Sequence, residues 1–145
     1  MFLMRLKNFI STSLALLLTL ALLFLAQSLN LCRFWKIEGK RSFYLHSSSS
    51  QAVVKEKIFP WELFSVKGES VTFPCEDRAK TLTEVLQRYG AKVLFEESAG
   101  GSTSYYCITE KWADGIQIGG EYVNFHIAFN GKYCAVGYPI IFGGF

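Results

Sequence analysis

Hydrophobic positions follow three different rhythms along this chain. The first is a continuous run: Leu14 to Ala26 is leucine and alanine broken only by Thr19 and Phe24, and no charge occurs from Phe9 to Leu31. As a helix that stretch would extend about 35 Å at ~1.5 Å per residue, which exceeds the roughly 30 Å of a bilayer's hydrocarbon core. The second rhythm is helical. Ala79, Leu82, Val85, Leu86 and Tyr89 recur at spacings of three and four, behind Asp77 as N-cap and before Gly90 as a left-handed stop. The third is alternation with a period of two, from Lys92 to the C-terminus, punctuated by Gly100-Gly101, Gly119-Gly120 and Asn130-Gly131. Paired turn residues of this kind join antiparallel strands.

The last of these turns fixes a register. A two-residue Asn-Gly turn sets Phe129 opposite Lys132 at the turn, and Ile127 opposite Cys134. Strand alternation then puts Val123, Phe125, Ile127 and Phe129 on one face with Cys134, Val136 and Tyr138, which is the expected core. Tyr122, Asn124, His126 and Ala128 share the other face with Tyr133, Ala135 and Gly137. Earlier in the chain, Phe43–His46 reads as extended. Leu63–Val66 and Ser70–Phe73 read as strand either side of Gly68, ended by Pro74. Gln51–Phe64 is ambiguous, since Val53 and Val54 favour a strand that Pro60 interrupts. The fold class expected is α+β: an N-terminal membrane or signal helix, then one helix packed on a mostly antiparallel curved sheet.

The N-terminal run supports two fates. Arg5 and Lys7 before an apolar stretch, with Ala26-Gln27-Ser28 offering small residues ahead of Leu29, fit a cleaved signal peptide. The uncharged length of Phe9–Leu31 fits an uncut signal-anchor. The expected organisation is therefore 1–31 as signal or transmembrane segment, 32–41 as a basic juxtamembrane piece and 42–145 as a single α+β domain. The protein would be single-pass with its C-terminal domain outside the cytosol, or secreted after cleavage. Arg33, Lys36, Lys40 and Arg41 pull the other way under the positive-inside bias, but a short basic start at the N-terminus is how export signals enter. Cys32 follows Leu31, too large a residue for lipoprotein processing.

Charge sharpens this division. Residues 1–41 hold six Lys or Arg against one Glu, whereas 42–145 hold nine against eleven Asp or Glu. The positive charge sits beside the membrane, where it can meet anionic headgroups. The globular part lacks the electropositive footprint that nucleic acid demands, so the membrane and not nucleic acid is the expected partner.

Three groups of residues resemble those of a known family: Thr109-Glu110-Lys111-Trp112, Val123-Asn124-Phe125-His126-Ile127-Ala128 and Val136-Gly137-Tyr138-Pro139-Ile140. From about Val66 to Ile141 the chain resembles the C-terminal half of the YwmB-like family, exported proteins of spore-forming bacteria. The resemblance implies a curved sheet backed by helices, like that of the TATA-box-binding protein but without DNA binding. It implies a place in sporulation or the cell envelope, with a protein of either as partner, and it brings no catalytic residues. Family members carry an N-terminal half that is missing here, so a lone half could leave an edge or apolar face bare, to be covered in a homodimer.

Candidate chemistry is sparse. Cys32, Cys75, Cys107 and Cys134 include no C-x-x-C pair, which disfavours a zinc ribbon or a thioredoxin-type centre. Outside the cytosol one disulfide plus a buried thiol is as good a reading as two bridges. Only His46 and His126 are present, so no metal and no cofactor are expected. A Cys107–His126 nucleophile pair is the one enzymatic alternative, against the simpler reading of His126 as a locally hydrogen-bonded, half-exposed sheet residue. Gly68-Glu69-Ser70-Val71-Thr72 stops short of the Gly-x-Ser-x-Gly elbow. Aromatic residues could instead make a recognition surface. The binding residues expected are Trp112, in the loop-like stretch 110–115, with Asn124, His126 and Tyr133. Three functional readings follow: a tethered or secreted binding or structural module without catalysis, an exported thiol enzyme, or a half-unit active only as a dimer.

Overall fold

The computed structural model describes residues 2–31 and 33–142. Cys32 and the last three residues lie outside the described residues. The chain divides into two units, 1–33 and 34–145.

The first unit is one helix, α1 (Phe2–Asn30). Its leucines from Leu14 to Leu25 are each between 53% and 66% exposed, so the helix has no buried face of its own. Its hydroxyls turn inward: Thr12 donates to the carbonyls of Asn8 and Phe9, Thr19 to Ala15 and Ser28 to Phe24, at 2.8–3.0 Å. Such bonds satisfy polar groups without water, as a lipid environment requires. The stretch Lys7–Ser28 is long and apolar enough to cross a membrane or to serve as a signal sequence.

In the second unit, alternation builds one seven-stranded antiparallel sheet. Its strands are β1 (Lys40–Leu45), β2 (Val53–Lys55), β3 (Val66–Pro74), β4 (Ala91–Ala99), β5 (Ser102–Thr109), β8 (Phe125–Asn130) and β9 (Tyr133–Tyr138), in the order β2-β1-β3-β9-β8-β5-β4. A separate two-stranded ribbon pairs β6 (Ile116–Ile118) with β7 (Glu121–Val123). The fold is α+β, with α2 (Arg78–Tyr89) laid across the sheet. Asp77 caps α2 by accepting from the Lys80 N–H at 3.0 Å, and Gly90 stops it at φ 60°.

The Asn-Gly hairpin is two residues off the expected register: Asn130 pairs with Tyr133 across Gly131 and Lys132, which sets Phe129 opposite Cys134 and Ile127 opposite Val136. A shift of two leaves the same residues on the core face. These residues, with Val71, Cys107 and Phe125, form the floor on which Val85 and Tyr89 of α2 rest. Several boundaries differ from expectation. Glu121–Phe129 is not one strand: it breaks at Asn124, whose side chain takes over the pairing with β5. Leu63–Ser65 belongs to a 3-10 turn (Pro60–Ser65), and β3 runs unbroken through Gly68. A side chain at Gly68 would collide with the Tyr138 carbonyl, so glycine here permits close strand pairing rather than a break.

The largest difference lies at 34–41, expected as a juxtamembrane piece. Phe34 is fully buried and Ile37 is 8% exposed, both in the core. Arg41 opens inward from β1, donating to the Phe34 carbonyl at 2.9 Å and lying 4.0 Å from the buried Glu69 carboxylate. Burial of Phe34 outweighs the charge of its neighbours, so the folded unit starts well before Ser42. At the other end, Ile140–Phe142 lies on the sheet face away from α2. Phe142 meets Tyr44 edge-on at 5.0 Å, and Ile141 crosses Gly137. Chain thus lies against both faces of the sheet, α2 on one and Ile140–Phe142 on the other.

Candidate functional site

Strand alternation decides where each expected site residue goes, and it separates them. Trp112 stands against the core, edge-on or tilted to Phe34, Tyr89, Phe125 and Tyr138 with ring centres 5.3–5.6 Å apart. Asn124 is 1% exposed. Its amide oxygen accepts the Thr109 N–H at 2.8 Å, while its NH₂ donates to the carbonyls of Thr109 at 2.8 Å and Trp112 at 2.6 Å. A side-chain amide here imitates a strand backbone and ties down the loop that carries Trp112. Trp112 and Asn124 are therefore brought together, but as structural supports.

His126 lies on the opposite face, and it is buried rather than half exposed, at 6%. Its ring stacks on Tyr106 at 4.5 Å and 12°, and Tyr106 stacks in turn on Phe95 at 4.6 Å. The Nδ1 atom accepts the Ile141 N–H at 3.1 Å, which leaves the proton on Nε2. Nε2 has no hydrogen-bond partner among the described residues. Burial pushes the imidazole pKa down to about 4, so the ring is neutral near pH 7.

Cys107 pairs with Phe125 and therefore shares the core face, whereas His126 pairs with Tyr106 on the other. The sheet itself stands between thiol and imidazole, so the Cys107–His126 nucleophile pair is not assembled. Burial also pushes the Cys107 thiol up to about 12 and raises that of Cys134, the latter with Cys75 adding to the effect. A thiol held so far from ionisation is a poor nucleophile. The described cysteines, Cys75, Cys107 and Cys134, are free and buried, with no disulfide among them. No group of His, Cys, Asp and Glu among the described residues could hold a metal ion.

Tyr133 is the one expected binding residue that faces solvent, at 55% exposure. It borders an open depression of about 470 Å³ with Thr72, Asn130, Gly131 and Lys132. A second cleft, of about 240 Å³, lies between α2 and the 36–38 segment. Lys36 and Arg88 on its wall offset Glu38 and Glu84, so it has no charge preference.

The most conspicuous exposed surface was not singled out by the sequence reading. Phe59, Trp61 and Phe64 are 56%, 72% and 57% exposed, and Phe59 stacks flat on Trp61 at 4.7 Å and 4°. A 3-10 turn repeats every three residues, which brings Trp61 and Phe64 to the same side. Pro60 starts the turn with its fixed φ. Glu62 then clamps it, accepting the Phe59 N–H at 2.9 Å and an ion-pair hydrogen bond from Lys55. That lysine contact, followed by the Phe59 N–H, lowers the Glu62 pKa. The signal available in the sequence was Phe59-Pro60-Trp61-Glu62-Leu63-Phe64: a proline-led turn with aromatics three apart, which suits neither strand alternation nor a buried helix.

Protein-family models, curated proteins and solved structures were each compared with this chain, and none matches it.

Proposed function

We propose that the chain is a membrane-attached module that works by surface recognition, with its folded unit on the extracytoplasmic side. One observation carries this reading. A helix that exposes leucine on every side leads, within a few residues, into a folded unit whose described thiols and whose His126 are buried. Groups that do chemistry must reach a substrate, and these face inward. What the unit offers to solvent is aromatic and rigid: the 59–64 turn, with Tyr133 elsewhere. Aromatic side chains on preorganised turns are the usual material of recognition surfaces. The resemblance to the YwmB-like family supports placing this activity at the envelope of a spore-forming bacterium, with an envelope or sporulation protein among its partners.

The reading is tested by fractionating cells that express the full chain with a reporter after Phe145. Retention in membranes through alkaline carbonate washing, with a reporter active only outside the cytosol, is the expected result. Release into the soluble fraction would replace the anchor by a cleaved signal. A reporter active in the cytosol would overturn the orientation.

A further inference from the structure

We infer that the 59–64 turn is a membrane-docking element, and that Phe59, Trp61 and Phe64 insert at the lipid interface beside the anchor. The inference rests on the membrane-attached reading above and names the partner of that surface. Four observations lead to it.

The first is reach. Helix α1 ends at Asn30 and the folded unit begins at Phe34. At no more than ~3.6 Å per residue, that connection keeps Phe34, where the unit starts, within about 15 Å of the end of the helix. A unit tethered so closely meets the lipid surface at a high effective concentration, so weak individual contacts suffice.

The second is chemistry. Tryptophan and phenylalanine prefer the headgroup boundary, where an apolar ring can be buried while polar atoms stay wet. Trp35, 67% exposed just past α1 with the Lys36 ammonium 5.0 Å from its ring centre, is the same kind of residue next to the membrane segment in sequence.

The third is charge. Both carboxylates of the 53–67 segment are held by lysines, Glu56 by Lys40 at 2.7 Å and Glu62 by Lys55. Exposed Lys57 and Lys67 add positive charge. Nothing in the segment presents an unneutralised negative charge to anionic headgroups, and its two further lysines attract them.

The fourth is size. Three rings at these exposures offer on the order of 400 Å². A stable protein partner needs about 800 Å² from each side, whereas a second, auxiliary membrane contact needs far less. Lipid is therefore favoured over a protein or a second copy.

The experiment uses the full chain carrying Trp35→Phe, reconstituted into phosphatidylcholine–phosphatidylglycerol vesicles with and without brominated acyl chains. Flotation with the vesicles reports the anchor, and bromine quenching of tryptophan emission reports docking. Trp112 packs in the core and serves as the internal background, measured in the same chain with Trp61→Phe added. The Trp61 emission should fall at least twofold in brominated vesicles. The fall should disappear with Trp61→Phe and shrink with Lys57→Glu plus Lys67→Glu. A chain that floats but whose Trp61 emission ignores the bromines would overturn docking while leaving the anchor standing. A chain that fails to float would overturn both. Quenching that appears only as the protein-to-lipid ratio rises, with crosslinks between copies at the turn, would replace lipid by a second copy. Loss of quenching on adding an envelope extract, with a protein crosslinked to the turn, would replace it by a protein partner.

Discussion

Two aromatic clusters in this molecule use the same kind of contact and come to opposite ends. Around Phe34, three rings from distant parts of the chain close in: Tyr89 from α2, Trp112 from its loop, and Phe125 from β8. Around Trp61, rings from a single turn stack on one another and remain in solvent. The difference is in what holds each cluster. The first is held by the fold and holds the fold in return. The second is set by Pro60 and by the Glu62 clamp, which are local, so its shape does not depend on remote segments. Ring count alone does not separate a core from a contact surface. Sequence separation of the partners does.

The comparison breaks most visibly at Phe34. Phe34→Ala should cost about 3–5 kcal/mol, the usual loss for emptying a fully buried phenylalanine site. Denaturant unfolding of the full chain in lipid or detergent, followed by near-ultraviolet dichroism, checks this. A loss under about 1 kcal/mol would mean that the 34–41 segment docks only loosely. It would then be the juxtamembrane piece that its charges suggest.

Next comes His126, which tests whether the sheet face away from α2 is a second interior. Its pKa is depressed to about 4 from an ordinary value near 6.5, so between those values the unfolded chain binds the proton and the folded one does not. Stability should therefore be complete above about pH 6.5 and fall as the pH drops towards 4. The loss is at most about 3 kcal/mol from this one group. Protonation would also take away the lone pair that accepts the Ile141 N–H, and so loosen Ile140–Phe142. The measurement is unfolding free energy against pH for the native chain and for His126→Gln, whose profile should be flatter through that window. Equal slopes would place the pH dependence elsewhere.

Elements whose signals are local were legible from sequence. The cap and stop of α2 lie within one helix, and the Asn130-Gly131 turn marks the β8–β9 hairpin and its core face, although the pairing is two residues off the expected one because Gly131 and Lys132 make the turn. Contacts between remote segments were not. Phe34 and Ile37 are set among Arg33, Lys36, Glu38 and Lys40 with no repeating period, so nothing local marks them as core. Asn124 and His126 fall on the polar-looking face of their strand. Asn124 is buried because its side chain turns to the backbone of Thr109 and Trp112 at the strand break, and His126 because the chain end at Ile140–Phe142 comes back over its face. The burial of Asn124 and His126, two of the expected binding residues, was illegible for the same reason. Polar and aromatic residues drew attention to a face that the chain covers with itself, while the turn that stays uncovered lay in the stretch with the weakest pattern.

Asn124 measures how strongly such a returning contact is held. Asn124→Ala removes three hydrogen bonds to the backbone of Thr109 and Trp112 and leaves those groups buried. A loss of about 1–3 kcal/mol is expected, together with a change in Trp112 emission as its loop is released. Asn124→Asp should do comparable or greater harm, because two carbonyls would then face a carboxylate in place of the NH₂. If Asn124→Ala were neutral, the strand break at 124 would have some other cause.

The smallest effect on stability belongs to the exposed cluster, and its smallness is the point. Trp61→Ala removes a ring that is 72% exposed and, among the described residues, stacked on Phe59 alone, so unfolding free energy should change by no more than about 0.5 kcal/mol. Set beside Phe34→Ala, that asymmetry would show that the turn is maintained for a purpose other than folding. Glu62→Gln provides the internal control. It weakens the clamp on the Phe59 N–H and the ion pair with Lys55 while sparing every ring, so it should loosen the turn without altering its aromatic content. Hydrogen exchange at the Phe59 amide should then rise while global stability stays within the same narrow range. A large global loss from either substitution would make the turn part of the structural core, and the distinction between the two clusters would fall.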